Sequence, residues 1–169
     1  PLKKGISREQ LRSQMGWAPN LFDALITHMA GEHILHDAGP TVRLVGHSVK
    51  FTPAQEEKIQ ALLAQFAQNP YTPPSVKQSL EAVGEPLLTS LVDTGRLIQL
   101  GKDVLLQPDI FQEMRKAVIT HIQEKGSITL AELRDHFNTS RKYAVAVLEH
   151  LDQTGVTLRK GDQRVLRRP

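Results

Sequence analysis

One pattern occurs three times along this chain, and the repetition limits the fold more than any other feature. Sliding the first segment by 122 residues brings Ser7 onto Thr129, Gln10 onto Glu132 and Leu11 onto Leu133. The same shift brings Met15 onto Phe137, Ile26 onto Leu148 and Met29 onto Leu151. A middle copy lies 60 residues before the last: Leu88 matches Leu148, Leu91 matches Leu151 and Gly95 matches Gly155. A chain built this way folds as small units in series, each with the same order of elements.

The last copy is the clearest. Thr129 and Glu132 form an S/T-x-x-E capping box, which starts a short helix near Leu130. Leu130, Leu133 and Phe137 mark its buried side, and Asn138, Thr139 and Ser140 are turn and N-cap residues. Ala144, Val147, Leu148 and Leu151 recur at helical spacing, and Gly155 suits the left-handed position that ends a helix. VTLR and RVLR, joined by Lys160-Gly161-Asp162-Gln163, read as a hairpin. Short helix, turn, longer helix and hairpin make a winged helix-turn-helix. The other copies have wings with turns at Gly39-Pro40 and Gly101-Lys102.

Two further helices lie between the copies. Thr52-Pro53 opens one, with Ile59, Leu62, Leu63 and Phe66 on its apolar face and Asn69-Pro70 as its stop. Asp109 is expected to cap the other, with Phe111, Met114, Val118 and Ile122 inside and Gly126 at its end. Each is the expected first helix of the module that follows. The fold class is therefore α+β and mostly helical, with tandem winged helix-turn-helix modules at 1–49, 50–108 and 109–169. The first lacks its first helix. The start at Pro1 without Met, inside the pattern, suggests a fragment. Modules of about 60 residues bury only roughly 60% of their unfolded surface, so neighbours are expected to pack.

Charge separates the copies. Residues 1–49 hold five Lys/Arg and four Asp/Glu, residues 50–109 five and seven, and residues 110–169 eleven and seven. A polyanion-binding surface therefore belongs to the last third. Within it, Arg141 and Lys142 occupy the first turn of the second helix, where the helix dipole favours Asp or Glu. Each costs roughly 0.3–1 kcal/mol there. Cations beside free backbone N–H groups make a phosphate clamp, and broken local rules cluster at functional sites. The corresponding starts in the other copies, Ala18-Pro19-Asn20 with Asp23 nearby and Gly84-Glu85-Pro86, carry acid and no cation.

Other chemistry is poorly supported. The chain has no Cys, which excludes disulfides, thiolate catalysis and Cys-rich zinc sites. No apolar run spans a membrane and no signal peptide is visible, so a soluble, cytoplasmic chain is expected. His28, Glu32 and His36 have helical spacing, but Gly31 interrupts the helix and no second ligand cluster exists; no metal is expected. Asp135-His136 has no partnered nucleophile, and no phosphate-binding Gly loop is present, so neither catalysis nor a cofactor is expected. Tyr143 either stacks on an unpaired base or belongs to the core, the commoner role for such a residue. Phe137 and Trp17 read as core. Arg159, Lys160, Arg164, Arg167 and Arg168 decorate the third wing and the tail.

The run LRDHFNTSRKYAVAVLEHLDQTGVTLRKGDQRVLRR closely resembles the last winged-helix domain of the SelB family, bacterial elongation factors specialised for selenocysteyl-tRNA. The resemblance implies the last three of that family's four winged-helix domains, the earliest incomplete, without the GTPase part. It implies a chain that is not itself an enzyme and whose final domain reads the selenocysteine-insertion hairpin of mRNA near a UGA codon. The middle domains would act as a spacer. The partners implied are an mRNA stem-loop and, through the full-length factor, the ribosome, with the chain itself a monomer. Carried over by position, RNA contacts come from Arg134, Asn138, Thr139, Ser140, Arg141, Lys142 and Tyr143, with wing support from Arg159, Lys160 and Arg164. A DNA-binding regulator and a winged-helix protein-interaction module are the alternative readings.

Overall fold

Hydroxyl side chains fix where the short helix of each repeat begins. Ser7 accepts from the Gln10 N–H at 3.5 Å, Ser75 from the Gln78 N–H at 3.3 Å and Thr129 from the Glu132 N–H at 3.2 Å. Each satisfies a backbone donor that the first helical turn leaves without a partner. The computed structural model describes residues 5–46 and 49–167. Arg168, named above with the basic tail, lies outside them. The chain forms two units, Pro1–Thr52 and Pro53–Pro169.

The first unit runs β1 (Ile6–Ser7), α1 (Arg8–Met15), α2 (Pro19–Gly31), β2 (Leu35–Asp37) and β3 (Thr41–Leu44). Its antiparallel sheet has the order β1-β3-β2, with Val42 opposite both Ile6 and Asp37. Phe22, Ile26 and Val42 are buried at its centre, flanked by Ile6, Leu11, Met15 and Leu35. Arg8 ties the unit together: its guanidinium donates to Asp37 at 2.5 Å and to Asp23 at 2.9 Å. The Gly39 N–H donates to Asp37 at 2.9 Å and closes the wing turn.

The second unit holds two winged-helix sets in series. The first comprises α3 (Pro53–Gln68), α4 (Val76–Val83), α5 (Glu85–Asp93), β4 (Ile98–Leu100) and β5 (Val104–Leu106). The other comprises α6 (Pro108–Lys125), β6 (Ile128–Thr129), α7 (Leu130–His136), α8 (Arg141–Gln153), β7 (Thr157–Lys160) and β8 (Gln163–Leu166). β4 pairs with β5, and the last sheet has the order β6-β8-β7. One apolar cluster joins the two sets. Leu100, Val104 and Leu106 of the middle wing pack with Phe111, Met114, Val118 and Ile122 of α6 and with Val147, Leu148 and Leu151 of α8. The repeat boundary at residue 108 therefore runs inside a core and not through a linker.

Two local expectations change, and two short strands are added. α6 begins at Pro108 with Gln107 in the cap position, so Asp109 lies in the first turn and is not the cap. Proline at the first helical position needs no N–H partner, which lets the helix start there. β1 and β6 are two-residue strands, too short to show an alternating pattern. Trp17 is not core: it is 41% exposed in the turn between α1 and α2.

The first unit also leaves an apolar face open. Leu21, Ile34 and Leu44 are 59%, 47% and 59% exposed. By the 122-residue shift they match Tyr143, Val156 and Leu166, which all pack into the core of the second unit. There α6 packs on α8 and β8 and the segment at Pro73 meets Tyr143; among the described residues the first unit has no equivalent helix. Amides of α2 are expected to exchange with solvent at least about tenfold faster than those of α8. Equal protection measured by hydrogen exchange would contradict this account.

Acid should open the first unit by a separate route. The Gly39 N–H, and then Arg8, hold the Asp37 carboxyl below its ordinary pKa. A lowered folded pKa gives stabilisation that is present above the unfolded value, about 4, and is lost as pH falls through the folded value. Asp37→Asn should therefore flatten the loss of stability of this unit below about pH 4. An unchanged acid profile, read by urea melts from pH 6 to pH 2, would remove Asp37 as its cause.

Candidate nucleic-acid interface

The site is built on α7, the turn after it, the start of α8 and the last wing. Thr129 and Glu132 complete a reciprocal box, because the Thr129 N–H also donates to Glu132 Oε2 at 2.7 Å. That sets the register of α7 and puts Leu130 and Arg134 on one face, a turn apart. The helix stops at Asn138, whose φ of 47° is left-handed. Asn tolerates that region better than most side chains. The Thr139 N–H then donates back to the Arg134 carbonyl at 3.0 Å.

α8 begins without the usual protection. Ser140 stands in the cap position but makes no side-chain capping bond, and no acid occupies the first turn. Ser140, Arg141 and Lys142 are exposed. No ion pair among the described residues involves Arg141 or Lys142. The Lys142 ammonium lies 5.8 Å from the centre of the Tyr143 ring, within cation–π range. Open N–H groups, the positive end of a helix dipole and two free cations coincide here. α5, by contrast, has Glu85 in its first turn. At α2 the nearby Asp23 is taken up by Arg8.

Four arginines converge beside this helix start. Arg134 of α7, Arg141 of α8 and Arg159 and Arg164 of the wing line a groove of about 290 Å³, with Thr129, Leu130, Ala131 and Asp162. Strand register explains the wing's share. Arg159 pairs directly with Arg164, so both side chains leave the same face of the ribbon. Lys160 pairs with Gln163 on the other face; it is exposed but does not line the groove. Arg134 is held by its neighbour Asp135 at 2.7 Å, an exposed pair worth little. Arg159 donates to the Gly161 carbonyl at 3.0 Å, which stiffens the wing turn.

Three of the sequence-derived candidates serve the protein itself. Tyr143 is buried, and its hydroxyl donates to the Pro73 carbonyl. Burial raises its pKa, which keeps it a neutral donor. Its ring is therefore not a platform for an unpaired base. Thr139 is buried and donates to the Tyr71 carbonyl at 2.5 Å. Arg164 is 6% exposed and donates through Nε to Asp152 at 3.3 Å, while Asp152 also accepts from the Thr157 hydroxyl at 2.6 Å. Asn138, Ser140, Arg141 and Lys142 remain exposed around the turn, with Arg134 and Arg159 beside them. Sequence reasoning missed Leu130, Ala131 and Asp162 in the groove and Tyr71 and Pro73 behind the turn. The Tyr71-Thr72-Pro73-Pro74 run was the available signal for the latter, since consecutive prolines hold a chain extended with its carbonyls unused.

Arg164→Ala should destabilise the second unit by roughly 2 kcal/mol, because it leaves a half-buried carboxylate without its cation. Arg159→Ala should leave the melting temperature nearly unchanged. Equal effects in thermal melts would show that the two arginines are not divided between structure and surface.

Two winged-helix models of elongation factor SelB match the chain, one over residues 1–44 and one over residues 120–166. The selenocysteine-specific elongation factor of Desulfomicrobium baculatum is 26% identical over 99% of this chain and 28% of its own length. That of Escherichia coli K12 is 25% identical over 85% of this chain and 24% of its own length. The chain thus spans about a quarter of the length of these curated relatives. Among solved structures, the mRNA-binding domain of E. coli SelB in complex with SECIS RNA aligns over all of its own chain and 70% of this one. The match has 26% identity and a TM-score of 0.56. A bacterial selenocysteine-specific elongation factor shares the fold over 97% of this chain and 26% of its own, at 15% identity and a TM-score of 0.55.

Proposed function

This chain belongs to the winged-helix region of the elongation factor SelB family, and from that premise we propose that its last winged-helix set binds an mRNA hairpin. The hairpin class is the selenocysteine-insertion element. Binding it would let the whole translation factor deliver selenocysteyl-tRNA at UGA during selenoprotein synthesis in the cytoplasm, with the ribosome as a partner of the intact factor. The chain acts as a monomer and contributes binding without catalysis; the remaining modules set the distance between hairpin and decoding site.

One observation carries this reading. The groove flanked by Arg134, Arg141 and Arg159 adjoins an uncapped helix start, within residues 120–166, which match a SelB winged-helix model. RNA physics favours such a shape. The major groove of an A-form helix is too narrow for a recognition helix, so sequence is read from bulged or looped bases while the backbone is gripped nearby. A cleft of about 290 Å³ is at the lower end of small-ligand clefts, roughly 300–1,000 Å³. It suits one extruded base or phosphate better than a whole helix. Ser140 and the α8 N–H groups supply neutral donors, Arg141 and Lys142 the charge.

Binding to the SECIS RNA of E. coli, its bulge-deleted twin and a DNA duplex should separate the readings. Affinity should be highest for the bulged hairpin and fall steeply with salt. Arg141→Ala should weaken it about tenfold and reduce the salt slope by about one unit, whereas Arg43→Ala in the first wing should do neither. Equal affinity for all three nucleic acids, or equal effects of the two substitutions, would defeat the assignment.

A further inference from the structure

The segment behind the turn has a role that the clamp residues themselves do not show. Thr139 and Tyr143 are buried, whereas the three residues between them, Ser140, Arg141 and Lys142, are exposed. The two buried side chains both end in hydroxyls, and both hydroxyls donate to one short segment between α3 and α4. Thr139 reaches the Tyr71 carbonyl and Tyr143 reaches the Pro73 carbonyl. The segment is pinned elsewhere too. The Tyr71 ring lies on Phe137, with centres 4.9 Å apart, and the Tyr71 hydroxyl donates to Glu113 of α6 at 2.9 Å. Thr72 and Pro73 each precede a proline, which restricts both to extended backbone.

We infer that the Tyr71–Pro73 segment is a brace that sets the geometry of the RNA clamp, with Thr139 and Tyr143 as its positioning residues. This deepens the RNA-binding reading and rests on it. Local sequence gives the clamp little rigidity of its own: Ser140 makes no capping bond, and Asn138 sits in the left-handed region. The brace supplies what is missing. One hydroxyl fastens the residue before the cap and the other fastens the first turn, so the Ser140–Lys142 donors are held between two fixed points. A clamp held in place loses less freedom when RNA docks, and affinity gains from that. The first unit offers a contrast: Trp17 and Leu21, the counterparts of Thr139 and Tyr143 by the 122-residue shift, are exposed. The RNA reader in the last repeat therefore depends on a segment about 70 residues upstream, in the preceding repeat.

The test uses the full chain with the SECIS RNA of E. coli, at a temperature below the melting transition of every variant. Tyr143→Phe keeps the ring and deletes one hydroxyl; Thr139→Val does the same at the other end; Thr139→Ser restores a hydroxyl. Tyr143→Phe and Thr139→Val should each weaken binding about tenfold and speed exchange of the Thr139 and Ala144 amides, which donate to the Arg134 and Ser140 carbonyls, while exchange in α6 stays unchanged. Thr139→Ser should recover most of the affinity. In an Arg141→Ala background Tyr143→Phe should cost markedly less, because a brace that acts through Arg141 has nothing left to position. Wild-type affinity and unchanged exchange at the turn in both variants would overturn the inference, as would full additivity with Arg141→Ala. If the wild-type chain does not bind the RNA, the functional reading fails. Slower or unaltered exchange at the turn would then sink the brace as well, and faster exchange would sustain it.

Discussion

Shared burial is the constraint on which this molecule rests. A winged-helix set of about 60 residues has too little interior to be secure alone. The last two sets meet that shortage together. The middle wing contributes Leu100, Val104 and Leu106 to the same cluster that holds α6 and α8. Removing them from water is worth about 25 cal/mol for each Å² of apolar surface buried. The consequence is mechanical as well as energetic: the middle repeat cannot move away from the last without exposing that core. The Tyr71–Pro73 segment belongs to the same arrangement, since it closes over Phe137 and the start of α8.

On that rigid base the protein tolerates an unfavourable charge distribution. Arginines crowd one groove, and the adjacent helix start carries Arg141 and Lys142 where a carboxylate would be preferred. At that helix start neither the cap residue nor an acid in the first turn relieves the charge. Other arginines have such relief. Arg8 is shared between Asp23 and Asp37, and Arg164 is folded onto Asp152. The difference separates cations that hold the structure from those left exposed. It also shows why charge counts alone mislead: Arg159 and Arg164 are cross-strand neighbours of the same type, yet one is exposed and the other nearly inaccessible.

Much of the fold was legible because it depends on local chemistry. The Thr129–Glu132 box, the left-handed glycines at 126 and 155, and the wing turns all stand where residue type and spacing put them. The candidate site was legible in part. Arg134, Arg141 and Arg159 meet at one groove, and Ser140 and Lys142 are exposed beside it. Thr139, Tyr143 and Arg164 looked equally suitable in sequence because nothing in their neighbourhood reveals a partner 68, 70 or 12 residues away. Trp17 erred in the opposite direction. A large aromatic at a turn reads as core, yet among the described residues no segment closes over it.

The sequence by itself determined the repeat, the element order, the caps and the concentration of cations in the last third, since each follows from side chains within a turn or two of one another. Only the tertiary structure decided which of those side chains face solvent and which are consumed by the protein. That choice is made by contacts between residues far apart in the chain. A hydroxyl or guanidinium is available to a ligand only if no buried carbonyl or carboxylate has already claimed it.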